Sequence, residues 1–225
     1  MPASLRENLE RVCETLRLSA EKAGRDPKGI TIVAVTKTFP VERIREAMAV
    51  GLRTFGENRV QEAVAKIDQI GSSDTSWHLI GHLQSNKARF IQGRFAMVQS
   101  VDSVAIAEVL GRRVHDPLQL LIEVNVAQEP QKTGAPPAEV PGIVAAIQRF
   151  PQLELRGLMT VAPMVPDAQQ ARPAFRSLRL LRDQTSQRLG VPLPVLSMGM
   201  TEDYGVAVEE GATMLRLGRA LFGAR

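Results

Sequence analysis

The sequence is poor in the residues that mark secreted, membrane-spanning and metal-binding proteins. It contains one cysteine, Cys13, three histidines and nine aromatic residues in 225 positions. A single thiol cannot form an internal disulfide, which fits a reducing compartment. No apolar run approaches about 18 residues, so we expect no membrane span. Residues 1–8 carry charges and no apolar core, so we expect no signal peptide and a cytoplasmic location.

Charge of one sign is not concentrated anywhere along the chain. The net charge is +4 and the sequence pI is about 9.6. The lysines and arginines are scattered, and they are not interleaved with aromatic residues as on a nucleic-acid-binding surface. We therefore expect no nucleic-acid partner and interpret the basic residues as part of a mixed charged surface.

What the sequence does contain is a regular alternation of strand and helix patterns. A helix with an apolar stripe over residues 5–20 comes first. Eight strand patterns follow, each preceded by a helix pattern. They cover residues 30–37, 54–58, 77–83, 95–101, 118–126, 153–161, 194–200 and 214–217.

This alternation is typical of parallel strands joined by right-handed crossovers. We predict an α/β protein with one domain over residues 1–225, a single (β/α)8 TIM barrel with an extra N-terminal helix. A doubly wound open sheet is the alternative. That fold normally has a glycine-rich stretch after its first strand, and residues 36–39 contain no glycine.

The first strand pattern ends in a lysine. Its Ile and Val residues and the following Pro40 are typical of a strand buried on both faces. Lys37 is then at the carboxyl end of the strand, where barrels of this type place their chemistry. A partly desolvated amine reacts with carbonyls to form a Schiff base. The alternative is a lysine that only extends into solvent.

The last two strand patterns end in glycine, hydroxyl and arginine residues. Residues 197–201 offer small side chains, backbone N–H groups and the hydroxyls of Ser197 and Thr201 ahead of a short helix. Arg216 ends the last strand, and Gly218 allows a ligand to approach the backbone. Together they predict an anion pocket, although each glycine alone is compatible with an ordinary turn.

A reactive lysine and an anion pocket on one rim suggest pyridoxal 5′-phosphate (PLP), or the substrate of a sugar-phosphate aldolase. Arg216 favours PLP, whose ring nitrogen needs a partner. A guanidinium only donates hydrogen bonds, so it would keep that nitrogen unprotonated and make the cofactor a weak electron sink. The alternative for Arg216 is a structural ion pair.

Six segments resemble the YggS/PROSC family of pyridoxal phosphate homeostasis proteins. They are TK at 36–37, FGENRVQE at 55–62, WHLIGHLQSNK at 77–87, GLMT at 157–160, SMGM at 197–200 and RLGRALFG at 216–223. The resemblance spans nearly the whole chain. It implies a barrel similar to the N-terminal domain of bacterial alanine racemase.

The resemblance also implies roles for single residues. PLP would form a Schiff base with Lys37, and Arg216 would face the pyridine nitrogen. The phosphate would contact Thr201 and the backbone of Gly218 and Arg219. Asn58 and Met198 would line the pocket, and the anion pocket described above adds Ser197. The family usually has Ser where this chain has Thr201, which keeps the hydroxyl, and often a small residue or Thr at Arg219, whose side chain either adds charge or points outward.

Three other residues lie in positions that suggest a functional role. His78 and His82 are four apart in the third strand pattern, on one face. They suggest metal ligands, but no third ligand is evident, so we predict no metal site and assign them to the core or to supporting positions. Lys132 lies in a long polar loop over residues 127–137, of a kind that is often functional. The family has a similar lysine there, which either handles the cofactor or stays solvated.

Racemase chemistry needs a second acid–base group opposite the lysine, a tyrosine from an added domain. The chain ends at Arg225 and its one tyrosine is Tyr204, so we expect no such domain, and two-face proton transfer is poorly supported. We predict a monomer with no catalytic residues that holds PLP for intracellular homeostasis and supplies it to apo-enzymes. The alternatives are a small PLP-dependent amino-acid racemase and an aldolase-like Schiff-base enzyme without cofactor.

Overall fold

Eight short parallel strands pair around a closed ring in the computed structural model, in the order in which they occur along the chain. The structure describes residues 3–129 and 131–223, so Pro130 of the predicted long loop lies outside the described residues. The strands are β1 Thr31–Val35, β2 Thr54–Glu57, β3 Ser76–Leu79, β4 Met97–Val101, β5 Leu118–Glu123, β6 Leu153–Met159, β7 Val195–Ser197 and β8 Met214–Leu217. The α-helices are α1 Leu5–Lys22, α2 Val41–Ala49, α3 Val60–Ile70, α4 Val104–Arg113, α5 Val140–Gln148, α6 Arg172–Leu189, α7 Tyr204–Glu209 and α8 Arg219–Phe222.

The ring closes where the first strand pairs with the last. Thr31 lies opposite Met214, and Val33 lies opposite Arg216. The structure therefore confirms the predicted TIM barrel. It also confirms the N-terminal helix, whose first turn is closed by reciprocal hydrogen bonds between Ser4 and Glu7.

The alternation of side chains along the strands divides the core into two layers. A small apolar cluster that includes Val33, Leu121 and Met214 fills the barrel interior. A much larger cluster packs between the strands and the helices. In that outer layer the rings of Phe55 and Trp77 lie with their centroids 5.2 Å apart.

The strand ends and one connection differ from the sequence-based prediction. Five strands end two or more residues earlier than predicted, because the residues at their carboxyl ends leave the ladder and form the rim loops. The short helix expected between β3 and β4 is a 3-10 helix, Ser85–Phe90. The short helix α8 was not predicted.

The first and last helices dock on each other. The Asn8 side-chain amide donates to Leu221 O over 2.8 Å, and Asn8 is buried. Within the described residues, no helix combines the length and the apolar character needed to cross a lipid bilayer.

Candidate functional site

Lys37 lies in the turn that follows β1. Pairing with β2 continues one residue past the strand, since the amide of Thr36 donates to Gly56 O over 3.0 Å. Thr36 is fully buried, Lys37 is half-buried and Thr38 is exposed. Val33 belongs to the interior cluster and Ala34 to the outer one, and Lys37 follows the end of β1 by two residues, at the carboxyl end of the barrel.

Arg216 occupies the interior of the barrel on β8, next to β1. Its Nη1 donates to Ser197 Oγ over 2.6 Å, and its Nη2 donates to Thr160 O over 2.7 Å. The residue is 4% exposed, and burial lowers its pKa to about 10. The guanidinium therefore remains cationic at neutral pH, although it is held by neutral acceptors.

A line of hydrogen bonds continues from Arg216 across the barrel interior. Ser197 donates to Gln99 Oε1 over 2.6 Å, and Gln99 Nε2 lies 2.8 Å from His78 Nδ1. Because Arg216 can only donate, the Ser197 hydroxyl accepts from it and uses its own proton to donate to Gln99 Oε1. The Gln99 amide nitrogen then donates to His78 Nδ1. We call these four residues the lumen chain: His78, Gln99, Ser197 and Arg216.

The lumen chain requires a neutral histidine. Gln99 donates to His78 Nδ1, so the proton lies on His78 Nε2, which is 3.3 Å from Ser76 Oγ. Burial lowers the pKa of His78 to about 4. A second proton on Nδ1 would face the amide hydrogens of Gln99, so charge and hydrogen bonding both oppose it.

The loop after β7 and the start of α8 are tied together on the rim. The Ala220 amide donates to Thr201 Oγ1 over 3.1 Å. The Met200 amide donates to Asp203 Oδ1 over 2.6 Å, and burial raises the pKa of that carboxyl. A hydroxyl that accepts one hydrogen bond still has a proton to donate. The hydroxyl proton of Thr201 is therefore left for an acceptor other than Ala220.

Gly199 is required by the shape of this loop. Its φ is +95°, and a Cβ there would lie 2.7 Å from Ala207 Cβ and 3.1 Å from Leu215 Cδ2. Its carbonyl accepts from the Arg216 amide over 3.0 Å. The loop backbone is thus pressed against α7 and bonded to β8.

The side chains of two other residues predicted to bind PLP do not face the barrel mouth. The Met198 side chain is fully buried in the outer layer between strands and helices, so it does not line the mouth. The Arg219 side chain is 64% exposed and pairs with Glu202 at 3.1 Å. Arg219 therefore points outward, and at the rim it offers only its backbone. Gly218 next to it is half-buried.

Asn58 is half-buried and follows β2 directly. Gly81 packs on its backbone so closely that a Cβ on Gly81 would lie 2.4 Å from Asn58 O. This contact places the loops after β2 and β3 side by side on the rim. The role of Asn58 as a lining residue stays a prediction.

The long loop after β5 folds back on that strand. Ala135 pairs with Val124, and Thr133 Oγ1 donates to Glu123 Oε1 over 2.6 Å. Glu123 is 3% exposed, and burial raises the pKa of its carboxyl. Lys132 is not a freely solvated lysine, since its Nζ lies 2.8 Å from Glu129 Oε1.

The two histidines are separated. His78 belongs to the lumen chain, whereas β3 ends at Leu79, and His82 is exposed and pairs with Asp102 at 3.1 Å. Placing both in one strand is therefore wrong. Among the described residues, no three His, Cys, Asp or Glu side chains gather as metal ligands.

Sequence reasoning missed Gln99 and the buried pair of Glu57 and Lys66. Gln99 is a fully buried polar residue next to Ser100 in the fully buried strand β4. Lys66 shares the buried stripe of α3 with Val60 and Ala63, and its Nζ lies 2.7 Å from Glu57 Oε1. In both places the available signal was a polar residue at an apolar position.

The fold and the rim define a barrel of the alanine racemase N-terminal class. The sequence matches the family model "Alanine racemase, N-terminal domain" over residues 5–225. An alanine racemase of Clostridium difficile 630 superimposes with a TM-score of 0.76 at 14% identity, covering 99% of this chain and 57% of that one. At that identity the likeness concerns the fold alone.

Within this class, the chain belongs to the family of pyridoxal phosphate homeostasis proteins. It is 40% identical over 225 residues to the protein of that name from Aquifex aeolicus, covering 97% of each chain. It is 41% identical over 227 residues to the one from Pseudomonas aeruginosa, covering 99% of this chain and 96% of that one. The family resemblance inferred from the sequence motifs is confirmed.

A solved structure of the same type contains the cofactor. PipY of Synechococcus elongatus PCC7942 with PLP bound is 36% identical, with a TM-score of 0.84, and the match covers 98% of this chain and all of PipY. PipY without PLP superimposes with a TM-score of 0.81 at 39% identity.

Proposed function

We propose that this chain binds PLP at the barrel mouth, holds it as a Schiff base on Lys37, and supplies it to apo-enzymes without catalysing a reaction of its own. The observation that carries this proposal is the buried guanidinium of Arg216 on the strand next to the Lys37 turn. PLP binding by PipY and the names of the curated relatives support the cofactor.

The residues of the rim suit the chemical groups of PLP. The cofactor supplies an aldehyde, and the ε-amine of Lys37 would condense with it and release one water. Arg216 would face the pyridine nitrogen as a donor. Asn58 would lie beside the ring, and Ser197 would hold the Arg216 guanidinium in place, as its 2.6 Å hydrogen bond indicates.

The phosphate would bind between the loop after β7 and the start of α8. Thr201 offers its hydroxyl, and Gly218 and Arg219 offer backbone groups. The hydrogen bond from the Ala220 amide to Thr201 shows that these segments already meet. Since the Met198 side chain faces the outer layer, we do not assign it a contact with the cofactor.

Reversible holding fits this site better than catalysis. An arginine partner leaves the ring nitrogen unprotonated, which weakens the cofactor as an electron sink. Racemisation also needs a second acid–base group on the opposite face. Tyr204 opens α7, is half-buried and packs against the outer core cluster.

The central test is chemical trapping of the lysine. Borohydride reduction of the protein loaded with PLP should attach the cofactor to the peptide that contains Lys37. Lys37→Ala should abolish the labelling and the visible absorption band. Lys28→Ala is the matched control, since Lys28 is exposed just before the amino end of the same strand. Labelling elsewhere, with Lys37 unmodified, would contradict the proposal.

Two further measurements separate supply from catalysis. The loaded protein should restore activity to the apo form of a PLP-dependent enzyme, and Lys37→Ala protein should not. Loaded protein incubated with single-enantiomer amino acids in deuterated water should leave them unlabelled at the α carbon. Rapid α-deuteration or racemisation would establish the racemase alternative. We also propose a cytoplasmic monomer, for which light scattering should give a mass near 24.6 kDa.

A further inference from the structure

A buried charge cluster lies behind the Lys37 turn, between β1, β2 and α3. Lys66 Nζ donates to Thr36 O, to Glu57 Oε1 and to Glu62 Oε1, each over 2.7 Å. An ammonium group has three donors, so Lys66 uses all of them here. We call Thr36, Glu57, Glu62 and Lys66 the lysine clamp.

The clamp holds the chain on both sides of Lys37. On one side, the Thr36 carbonyl accepts from Lys66, and the Thr36 hydroxyl donates to Glu57 Oε1 over 2.6 Å. On the other side, the Thr38 amide donates to Glu62 Oε1 over 2.6 Å. The peptide group before Lys37 is therefore hydrogen-bonded to the Lys66 ammonium, and the peptide group after it is hydrogen-bonded to Glu62, which pairs with the same ammonium.

The turn needs such support because Thr38 is in an unfavourable conformation. Its φ is +66°, in the left-handed region that β-branched residues rarely adopt. Residues of this kind persist where their surroundings determine the conformation. The hydrogen bond from the Thr38 amide to Glu62 stabilises Thr38 in this conformation.

Burying charged groups between a helix and a strand costs desolvation free energy. Glu57 is fully buried, burial raises the pKa of its carboxyl, and among the described residues its Oε2 has no hydrogen-bond partner. Apolar residues of similar volume often stabilise such a contact as well or better. What they cannot do is donate to and accept from specific backbone groups.

We propose that Lys66, with Glu57 and Glu62, is a positioning residue that fixes residues 36–38 so that the Lys37 amine faces the barrel mouth. This inference rests on the proposed role of Lys37. Lys66, Glu57 and Glu62 are bonded to the backbone or hydroxyl groups of Thr36 and Thr38. They act through the two threonines that flank the lysine.

The consequence concerns how firmly PLP stays on Lys37. Glu62→Ala removes the acceptor of the Thr38 amide, and hydroxylamine should then strip PLP from the loaded protein about tenfold faster, as expected from the loss of a charge-assisted hydrogen bond. Glu62→Gln keeps an oxygen at that position and should restore most of the wild-type rate. Lys66→Met should act in the same direction and more strongly.

A second measurement needs no cofactor. Hydrogen exchange in the peptide that contains the Thr38 amide should be faster in Glu62→Ala than in wild type, and close to wild type in Glu62→Gln. Glu108→Ala is the matched control. Glu108 and Glu62 are both 27% exposed and ion-paired, but Glu108 lies on α4 and pairs with Arg112 and Arg149. It should change neither measurement.

The outcomes separate this inference from the proposed function. Wild-type stripping and exchange rates in Glu62→Ala would overturn the positioning role, and so would an equal acceleration in Glu108→Ala. If borohydride failed to label Lys37 in wild type, the proposed function would fall, while the exchange result would still decide whether the clamp orders the turn. Glu62 is on the surface side of the cluster, so its variants keep the test usable if Lys66→Met does not fold.

Discussion

The lumen chain and the lysine clamp each contain one buried cationic side chain, and the two cations are bound by different kinds of group. Arg216 is bonded to a serine hydroxyl and a backbone carbonyl inside the barrel. Lys66 is bonded to two carboxylates and a carbonyl outside it. The first is a line of directed hydrogen bonds with one charge at its end. The second concentrates three ionisable groups around one turn.

The difference determines what each region loses when a member is removed. A missing link in the lumen chain leaves polar groups unpaired, which costs a moderate amount of stability. A missing member of the clamp leaves a buried charge without its partner, which costs more. The lumen chain is also sensitive to the protonation of His78, whereas the clamp contains no histidine.

The largest effect should come from Lys66→Met. This change leaves the carboxyl of Glu57 buried without its cation, and we expect a loss of about 3–5 kcal/mol in the free energy of unfolding. Urea unfolding of the cofactor-free protein measures it. The double variant Lys66→Met, Glu57→Met should recover much of the loss, because the orphaned charge is gone. A loss below that of any lumen-chain variant would break the comparison.

Acid should weaken the lumen chain next. The pKa of His78 is about 4 when folded and about 6.5 when unfolded. The unfolded chain therefore takes up the proton first, so stability from His78 is complete above pH 6.5 and falls toward pH 4, by about 3 kcal/mol in all.

His78→Gln keeps an acceptor for Gln99 and should flatten this part of the pH profile. His82→Gln, on the exposed histidine, should leave the wild-type slope. The difference between profiles isolates His78, since the buried carboxyls of Glu57 and Glu123 titrate in every variant. Equal slopes in wild type and His78→Gln would show that the lumen chain tolerates a charged histidine.

Ser197→Ala should have a smaller effect. It leaves Arg216 Nη1 and Gln99 Oε1 without their shared hydroxyl, and we expect a loss of about 1–3 kcal/mol. Ser197 and His78 are joined only through Gln99 among the contacts described here. A double-mutant cycle of Ser197→Ala and His78→Leu, a variant that removes the acceptor for Gln99, should still show coupling above about 0.5 kcal/mol. Strict additivity would mean that the four residues do not act as a chain.

Arg219→Ala should have the smallest effect of the series. Arg219 and Glu202 are both largely exposed, and such pairs contribute about 0–1 kcal/mol. Unfolding in urea at low and high salt measures it. A loss as large as that of Ser197→Ala would show that the outward side chain has a structural task in the rim.

The barrel could be predicted from the sequence because each strand and helix has its own local pattern, and these patterns repeat along the chain. Eight apolar strand patterns alternate with helix patterns, and β8 has the predicted bounds, Met214–Leu217. Strand ends were less predictable, since the residues that leave the ladder there keep an apolar or small character. Met200 and Val161 illustrate this, as both were assigned to strands and both lie in loops.

The position of a candidate site residue was predictable where its residue type marks the end of a strand, as at Lys37 and Arg216. It was not predictable where the partners come from distant segments. Gln99 and Ser197 are 98 positions apart, and no local pattern relates them. The direction in which Arg219 points also depends on Glu202, a neighbour that only the folded rim supplies.

The pairing of the first strand with the last has a consequence for the order of events during synthesis. β1 is made early, but its second neighbour does not exist until residues 214–217 have been added. Asn8 on α1 likewise waits for Leu221. Until then β1 has an open edge, and such edges are sites of aggregation in incomplete chains. A chain that stalls before residue 214 therefore has one unpaired edge at β1 and another at β7. It also lacks β8, the strand that carries Arg216 and pairs with β1 just before Lys37.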